Sequence, residues 1–84
     1  MIYTVHIKVM PLKNLLDPQG KAVVAGLHNL GLANVEDARV GKHVTLYVNA
    51  TSEAGARAAA EEAGKKLLAN AVMEFFDIEE IIAE

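Results

Sequence analysis

The sequence contains no cysteine and no tryptophan, and aromatic residues make up only 5% of it. Without cysteine the chain forms neither disulfide bonds nor thiolate nucleophiles, and zinc sites built on cysteine are excluded. No run approaches the roughly 20 apolar residues that a membrane-spanning helix requires. The first residues also lack a charged segment followed by an apolar run. We therefore expect no membrane partner, no signal peptide and a cytoplasmic location.

Positive charge is scarce as well. The 84 residues include 8 Lys and Arg against 11 Asp and Glu, which gives a net charge of -3. Nucleic-acid-binding proteins need a basic face to neutralise phosphates, so nucleic acid is not an expected partner. The length suits one domain, residues 1–84. A domain of this size buries only about 60–65% of its unfolded surface, so association with another chain would stabilise it.

Four segments have the pattern of β-strands. Apolar and polar residues alternate from Tyr3 to Val9, and the strand is expected to end at Pro11. Further strands are predicted over Val35–Val40 and Val44–Val48, with Gly41-Lys42 as a hairpin turn between them. The last predicted strand is Val72–Ile78, followed by an acidic tail with Glu79, Glu80 and Glu84.

Two segments have the pattern of helices. Asp17 and Pro18 suit the N-cap and first position of a helix to about Leu30, which Gly31 would end. Its predicted buried stripe consists of Val23, Leu27 and Leu30, flanked by Val24. A second helix should run from Thr51 or Ser52 to about Asn70, with an apolar line of Ala56, Ala60, Ala63 and Leu67.

The predicted element order is therefore β-α-β-β-α-β. This order is typical of an α+β two-layer sandwich, a ferredoxin-like antiparallel sheet with two helices on one face. The other face of such a sheet is polar in a monomer. Here it would carry Tyr47, Met73 and Phe75, so we predict that these residues mediate self-association as a homodimer, which can pair further into a tetramer. The alternative is that they are isolated exposed residues, which are common.

No catalytic residue and no metal site are predicted. Ser52 is the only serine, and it occupies a helix-cap position. The three histidines, His6, His28 and His43, have no metal-binding spacing, although His6 and His43 are able to approach each other on the outward face of the sheet. Gly41-Lys42 lacks the upstream glycine and the following Ser or Thr of a phosphate loop. No cofactor is therefore expected on this chain.

Three segments in order resemble the PurS subunit family of phosphoribosylformylglycinamidine (FGAM) synthase. They are Leu16-Asp17-Pro18-Gln19-Gly20, Arg39-Val40-Gly41-Lys42, and the segment from Leu67 to Glu74. The resemblance covers almost the whole chain. It implies a non-catalytic subunit of an ATP-dependent, glutamine-using ligase in purine biosynthesis. Such a subunit bridges PurL, the synthetase, and PurQ, the glutaminase, and supports ammonia transfer, while ATP, magnesium and glutamine are bound by those partners.

Within this resemblance, exposed parts of the shared segments are the predicted contacts with PurL or PurQ: Gln19, Arg39, Lys42 and Asn70. The alternative for each is a solvated surface residue. The fold pattern also permits a ferredoxin-like or ACT-like regulatory module that binds a small molecule at a dimer seam. A small metal-dependent enzyme that uses the histidines is the third possibility.

Overall fold

The computed structural model describes residues 1–84 and contains three strands and two helices. In chain order they are β1 (Ile2–Pro11), α1 (Pro18–Asn29), β2 (Lys42–Asn49), α2 (Glu53–Ala63), a π-helical turn (Gly64–Leu68) and β3 (Glu74–Ala83). The strands form one antiparallel sheet in the order β2-β1-β3. The predicted α+β class, with an antiparallel sheet and two helices, is confirmed.

The core lies on one face of β1. Alternation places Tyr3, Val5, Ile7 and Val9 on the same side of the strand, and all four are buried. The neighbouring strands add half-buried residues in register, such as Leu46 opposite Val5 and Ile78 opposite Ile7. Because β1 is central, it supplies the largest part of a small core whose other buried members come from α2 and Ala69.

The predicted strand Val35–Val40 and the hairpin turn at Gly41-Lys42 are wrong. Residues 35–41 form no strand, and Lys42 is the first residue of β2, opposite Val9 of β1. The segment makes other hydrogen bonds instead: Val40 N–H donates to Asp17 Oδ2, 2.9 Å away, and Ala38 N–H donates to the Asp37 side chain. β2 therefore pairs with β1 alone, and the sheet has three strands in a β-α-β-α-β order.

Helix α1 begins and ends as the sequence indicates. The Asp17 side chain accepts a hydrogen bond from Gly20 N–H, and Gly31 adopts φ +90°, which favours glycine, two residues after the helix. The prediction that its apolar stripe is buried is wrong for the single chain. Leu30 is 79% exposed and Val23 is also exposed, because α1 makes no extensive contact with the sheet.

Helix α2 covers the core face of the sheet. Ser52 caps it through Gly55 N–H, and Ala56 and Ala60 are buried against the strands. The predicted apolar line breaks at Leu67, which is 82% exposed. The cause is the π-helical turn, in which Ala69 N–H donates to Gly64 O, 3.0 Å away. This wider turn rotates Leu67 outward, whereas Gly64 is buried because it follows Ala56 and Ala60 at four-residue spacing.

Strand β3 is longer than predicted and includes residues 79–82, which were expected to be a tail. Its register with β1 shifts between His6 and Ile7: Ile7 faces Ile78, whereas His6 faces Glu80. Glu79 is therefore the extra residue of a β-bulge. Glu84 N–H then donates to Ile2 O, which fixes the end of the chain beside its beginning.

The molecule is elongated because α1 extends away from the sheet. Its radius of gyration is 16.2 Å and its principal extents are 50 × 27 × 13 Å. A compact domain of 84 residues has a radius of gyration of about 12 Å. Neither α1 nor α2 has the length and apolar content that a membrane crossing requires.

Candidate functional site

The face of the sheet opposite α2 has no cover within the chain, and we call it the open face. Alternation along the three strands selects its members. They are Thr4, His6, Lys8 and Met10 of β1, His43, Thr45 and Tyr47 of β2, and Phe75, Asp77, Glu80 and Ile82 of β3. Phe75 and Phe76 therefore lie on opposite faces, as the sequence predicts.

The apolar residues of the open face lie at its two ends. Tyr47, which is 70% exposed, pairs with Thr4, and Ile82 pairs with Thr4 from the other side. Phe75 pairs with Met10 at the opposite end, where Met73 is 54% exposed. Thr4 and Met10 are six residues apart on β1, or roughly 20 Å. The three residues predicted to mediate self-association thus form two apolar patches and not one.

Polar side chains separate these patches. His6 Nδ1 lies 3.0 Å from His43 Nε2, and the two rings meet edge to face with centroids 5.1 Å apart. Thr45 Oγ1 lies 3.4 Å from the same His6 nitrogen. Beside them, Lys8 Nζ is 3.8 Å from Glu79 Oε2. The approach of the two histidines, which the sequence left open, is confirmed.

A second uncovered apolar surface runs along α1. The helical spacing of Val23, Leu27 and Leu30 places them on one side, which we call the α1 stripe. Leu32, just after the helix, is also exposed. Soluble monomers rarely leave such a contiguous apolar stripe in water, so this surface is a candidate contact with another chain.

A cleft of about 550 Å³ lies between the start of α1 and the turn before β3. Two predicted partner contacts, Gln19 and Asn70, line it together with Leu16 and Met73. The Asn70 side chain holds the turn, since its Oδ1 accepts a hydrogen bond from Val72 N–H at 3.0 Å. Gln19 is exposed at the rim and makes no side-chain hydrogen bond within the chain.

Arg39 and Lys42, the other two predicted contacts, lie outside this cleft. The Arg39 guanidinium donates to Leu12 O at 3.2 Å, to Leu15 O at 3.1 Å and to Lys13 O. Arg39 therefore stabilises the loop after β1 through hydrogen bonds within the chain. Lys42 is exposed at the start of the edge strand β2. The structure thus brings Gln19 and Asn70 together and places Arg39 and Lys42 elsewhere.

Asp17 links α1 to the segment before β2. One carboxylate oxygen accepts from Gly20 N–H and the other from Val40 N–H. These bonds, the one from Val40 first, lower the pKa of the carboxyl below its usual value despite partial desolvation, and the nearby charge of Arg39 adds to the effect. The capping role was predictable, whereas nothing local in the sequence marks the bond to Val40, 23 residues away.

The Asp17 carboxylate, whose pKa is lowered, is engaged in backbone hydrogen bonds through both of its oxygens. No group of three or more His, Asp or Glu side chains converges on a point where a metal ion would be held. The arrangement of the chain is thus suited to contact with other proteins: two apolar patches, an apolar helix stripe and a cleft with amide side chains at its rim.

Comparisons with known proteins agree over the whole chain. The family model described as PurS, phosphoribosylformylglycinamidine (FGAM) synthase, matches residues 4–81. The PurS subunit of Bacillus subtilis FGAM synthase is 35% identical over 99% of this chain and 100% of its own length. Thermus thermophilus PurS has a similar structure, with a TM-score of 0.89 and 36% identity over 100% and 99% of the two chains. A chain in the structure of PurLQS from Thermotoga maritima has a TM-score of 0.87 and 28% identity over 95% and 98%.

Proposed function

The chain belongs to the PurS family of FGAM synthase subunits, and from this membership we propose that it joins the other subunits of that enzyme without catalysing a reaction itself. Its function is that of the PurS subunit in purine biosynthesis. Association with PurL and PurQ is supported by the similarity to a chain of PurLQS. ATP, magnesium and glutamine then bind to those partners, and the cytoplasm is the proposed location.

The observation that carries the proposal is the α1 stripe, which the chain leaves uncovered. A single Leu side chain contributes about 1.5–3 kcal/mol when it becomes fully buried. The stripe exposes Val23 and Leu30, with Leu27 half-buried between them, on a helix that has no extensive contact with the sheet. A second protomer is its proposed cover. The elongated shape supports this, because a protruding helix lies within reach of another copy of the sheet.

The homodimer is tested with Leu30→Gln and, as the matched control, Lys21→Gln on the opposite side of α1. We expect sedimentation velocity to show a dimer or tetramer for the wild type and the control. Leu30→Gln should weaken association, since a two-fold dimer loses the buried leucine twice. A wild type that sediments as a monomer at micromolar concentration contradicts the homodimer.

The cleft with Gln19 and Asn70 is the proposed contact with PurL or PurQ. Amide side chains at a rim beside exposed Leu16 and Met73 combine directed hydrogen bonds with apolar area, which is typical of protein interfaces. Asn70→Asp keeps the Oδ1 that accepts from Val72 N–H and removes the amide donor, while Gln19→Ala removes the whole amide. Glu62→Gln, on the exposed side of α2, is the control.

Co-purification with PurL and PurQ of the same organism tests the contact. We expect the two cleft variants to recover less PurL or PurQ than the wild type, and the control Glu62→Gln to recover as much. The bridging role has its own assay. Glutamine-dependent FGAM formation should require this chain, whereas activity on added ammonium should not. If glutamine-dependent activity is equal with and without the chain, bridging is refuted. Family membership does not favour the alternative of a small-molecule regulatory module.

A further inference from the structure

We propose that His6 and His43 form a binding site for one divalent transition-metal ion on the open face, with Cu(II) and Ni(II) as the best-matched ions. The site lies on the open face between the two apolar patches predicted to mediate self-association, and away from the α1 stripe and the cleft. Both rings come from regular positions of adjacent antiparallel strands, where His6 faces Thr45 and His43 faces Lys8. The strands hold the two backbones in place, and the rings turn out of their hydrogen bond so that both lone pairs point at the ion.

The distance between the two nitrogens indicates the geometry of the site. His6 Nδ1 and His43 Nε2 are 3.0 Å apart. With metal–imidazole bonds of about 2.0–2.1 Å, this separation gives an angle of about 95° at the metal. Tetrahedral coordination would need the nitrogens about 3.3–3.4 Å apart. An angle near 90° is that of adjacent ligands in square-planar or tetragonal Cu(II) and Ni(II). Cu(II) also lies above Zn(II) in the affinity order for nitrogen ligands, so Zn(II) is the poorer match.

The charges around the pair favour a cation. Glu80 lies opposite His6 across β3, and Asp77 lies opposite Lys8 on the same face. Glu79, at the bulge beside them, is 3.8 Å from Lys8 and offsets that positive charge. Three carboxylates thus lie on the β3 side of the site against one ammonium group. None of them completes a three-residue cluster with the histidines, so water fills the remaining coordination positions.

The contact between the rings is compatible with metal binding. In the free chain one ring nitrogen must carry the proton that the other accepts. A metal ion takes the place of this proton and binds the lone pairs of both nitrogens, while the proton moves to the other nitrogen of the same ring, so both imidazoles stay neutral. His43 is exposed and His6 is half-exposed, which leaves the site open to ions from solution.

The test is isothermal titration of the full chain with copper(II) chloride, and separately nickel(II) chloride, in a buffer that does not bind metals. The variants are His6→Gln and His43→Gln. His28→Gln is the matched control, because the His28 ring bonds to Val35 O on another part of the molecule. Since His43 is exposed on an edge strand, His43→Gln removes one ligand without disturbing the core. Circular dichroism checks that each variant is folded.

We expect one ion to bind each chain in the wild type and in His28→Gln, and this binding to be lost in His6→Gln and in His43→Gln. Electron paramagnetic resonance of the Cu(II) form should show nitrogen coupling from two imidazoles. Zinc(II) chloride should bind more weakly than copper. The proposal is overturned if the wild type binds no ion, if either pair variant retains binding, or if His28→Gln loses it equally.

Discussion

The contact between Gly64 and Phe76 offers a test of how the π-helical turn packs on the sheet. A Cβ atom at Gly64 would lie 2.6 Å from Cε2 and Cζ of the Phe76 ring and 2.8 Å from Cδ2. Carbon atoms prefer separations of about 3.5–4.0 Å, so in Gly64→Ala the ring or the helix must move by about 1 Å. Phe76 packs against the buried core, which limits that movement.

The expected change in the free energy of unfolding of Gly64→Ala follows from two opposing contributions. Overpacking of a core costs about 1–3 kcal/mol. Replacing glycine by alanine in a helix stabilises it by about 0.5–1 kcal/mol. The net destabilisation of Gly64→Ala is therefore up to about 2.5 kcal/mol, and the melting temperature of a domain this small should fall by about 4–8 °C for each kcal/mol.

Gly55→Ala is the matched control within α2. A Cβ atom there would meet Ser52 Oγ at 3.5 Å and Ala50 Cβ at 3.7 Å, which are ordinary contacts. This variant should therefore be more stable than the wild type by the gain from replacing glycine in a helix, about 0.5–1 kcal/mol, with no overpacking cost. Urea unfolding at one fixed protein concentration compares the two, because association makes stability depend on concentration. If Gly64→Ala is as stable as Gly55→Ala, the close packing against Phe76 is refuted.

Three further perturbations probe other parts of the molecule. Asp17→Asn should destabilise the fold at neutral pH. Its difference in stability from the wild type should shrink as the pH falls below 3.8, the ordinary pKa of an aspartate side chain. The sign follows because a lowered carboxyl pKa in the folded state contributes stability only while the group is ionised, and thermal melts across pH measure it. Phe75→Asp should weaken self-association more than it lowers monomer stability, because an unpaired charge in an interface is costly; an unchanged dimer in sedimentation contradicts this. Ile7→Ala, at a fully buried position, should cost about 2–5 kcal/mol in urea unfolding; a smaller loss would mean that the core collapses around the cavity.

Much of the fold was predictable because local signals agree with the tertiary structure. Alternation from Tyr3 to Val9 identified β1 and its buried side, and the N-caps at Asp17 and Ser52 are observed. The fold class and the family resemblance are confirmed. The two sides of the last strand, with Phe75 and Phe76 on opposite faces, also follow directly from its period of two.

The errors arise where long-range contacts override local pattern. Val35–Val40 has the composition of a strand, but the Val40 amide bonds to Asp17 and the segment does not pair with the free edge of β2. Leu67 fits a helical spacing that the π-turn interrupts. Residues 79–82 are two glutamates followed by two isoleucines, and their pairing with β1 depends on the bulge at Glu79. None of these features leaves a signal within a few residues.

For the site residues, too, local pattern predicts the face on which a residue lies but not the contacts that distant strands make. Periodicity placed Tyr47, Met73 and Phe75 on one face, but it could not show that polar residues divide that face into two patches. The contact of His6 with His43 depends on the register between β1 and β2, which brings together residues 37 positions apart in the sequence. The partner contacts predicted at Gln19, Arg39, Lys42 and Asn70 stay predictions, although Arg39 already has three carbonyl partners in its own chain.

The ties made by Asp17 and Arg39 have a consequence for the thermodynamics of assembly. Asp17 joins the start of α1 to Val40, and Arg39 clamps the loop that leads into the helix. The protruding helix is thus held in one orientation before any partner arrives. A partner then meets a preorganised element, and little conformational entropy is lost when the complex forms. Loosening either tie should weaken assembly without removing a single atom from the contact surface.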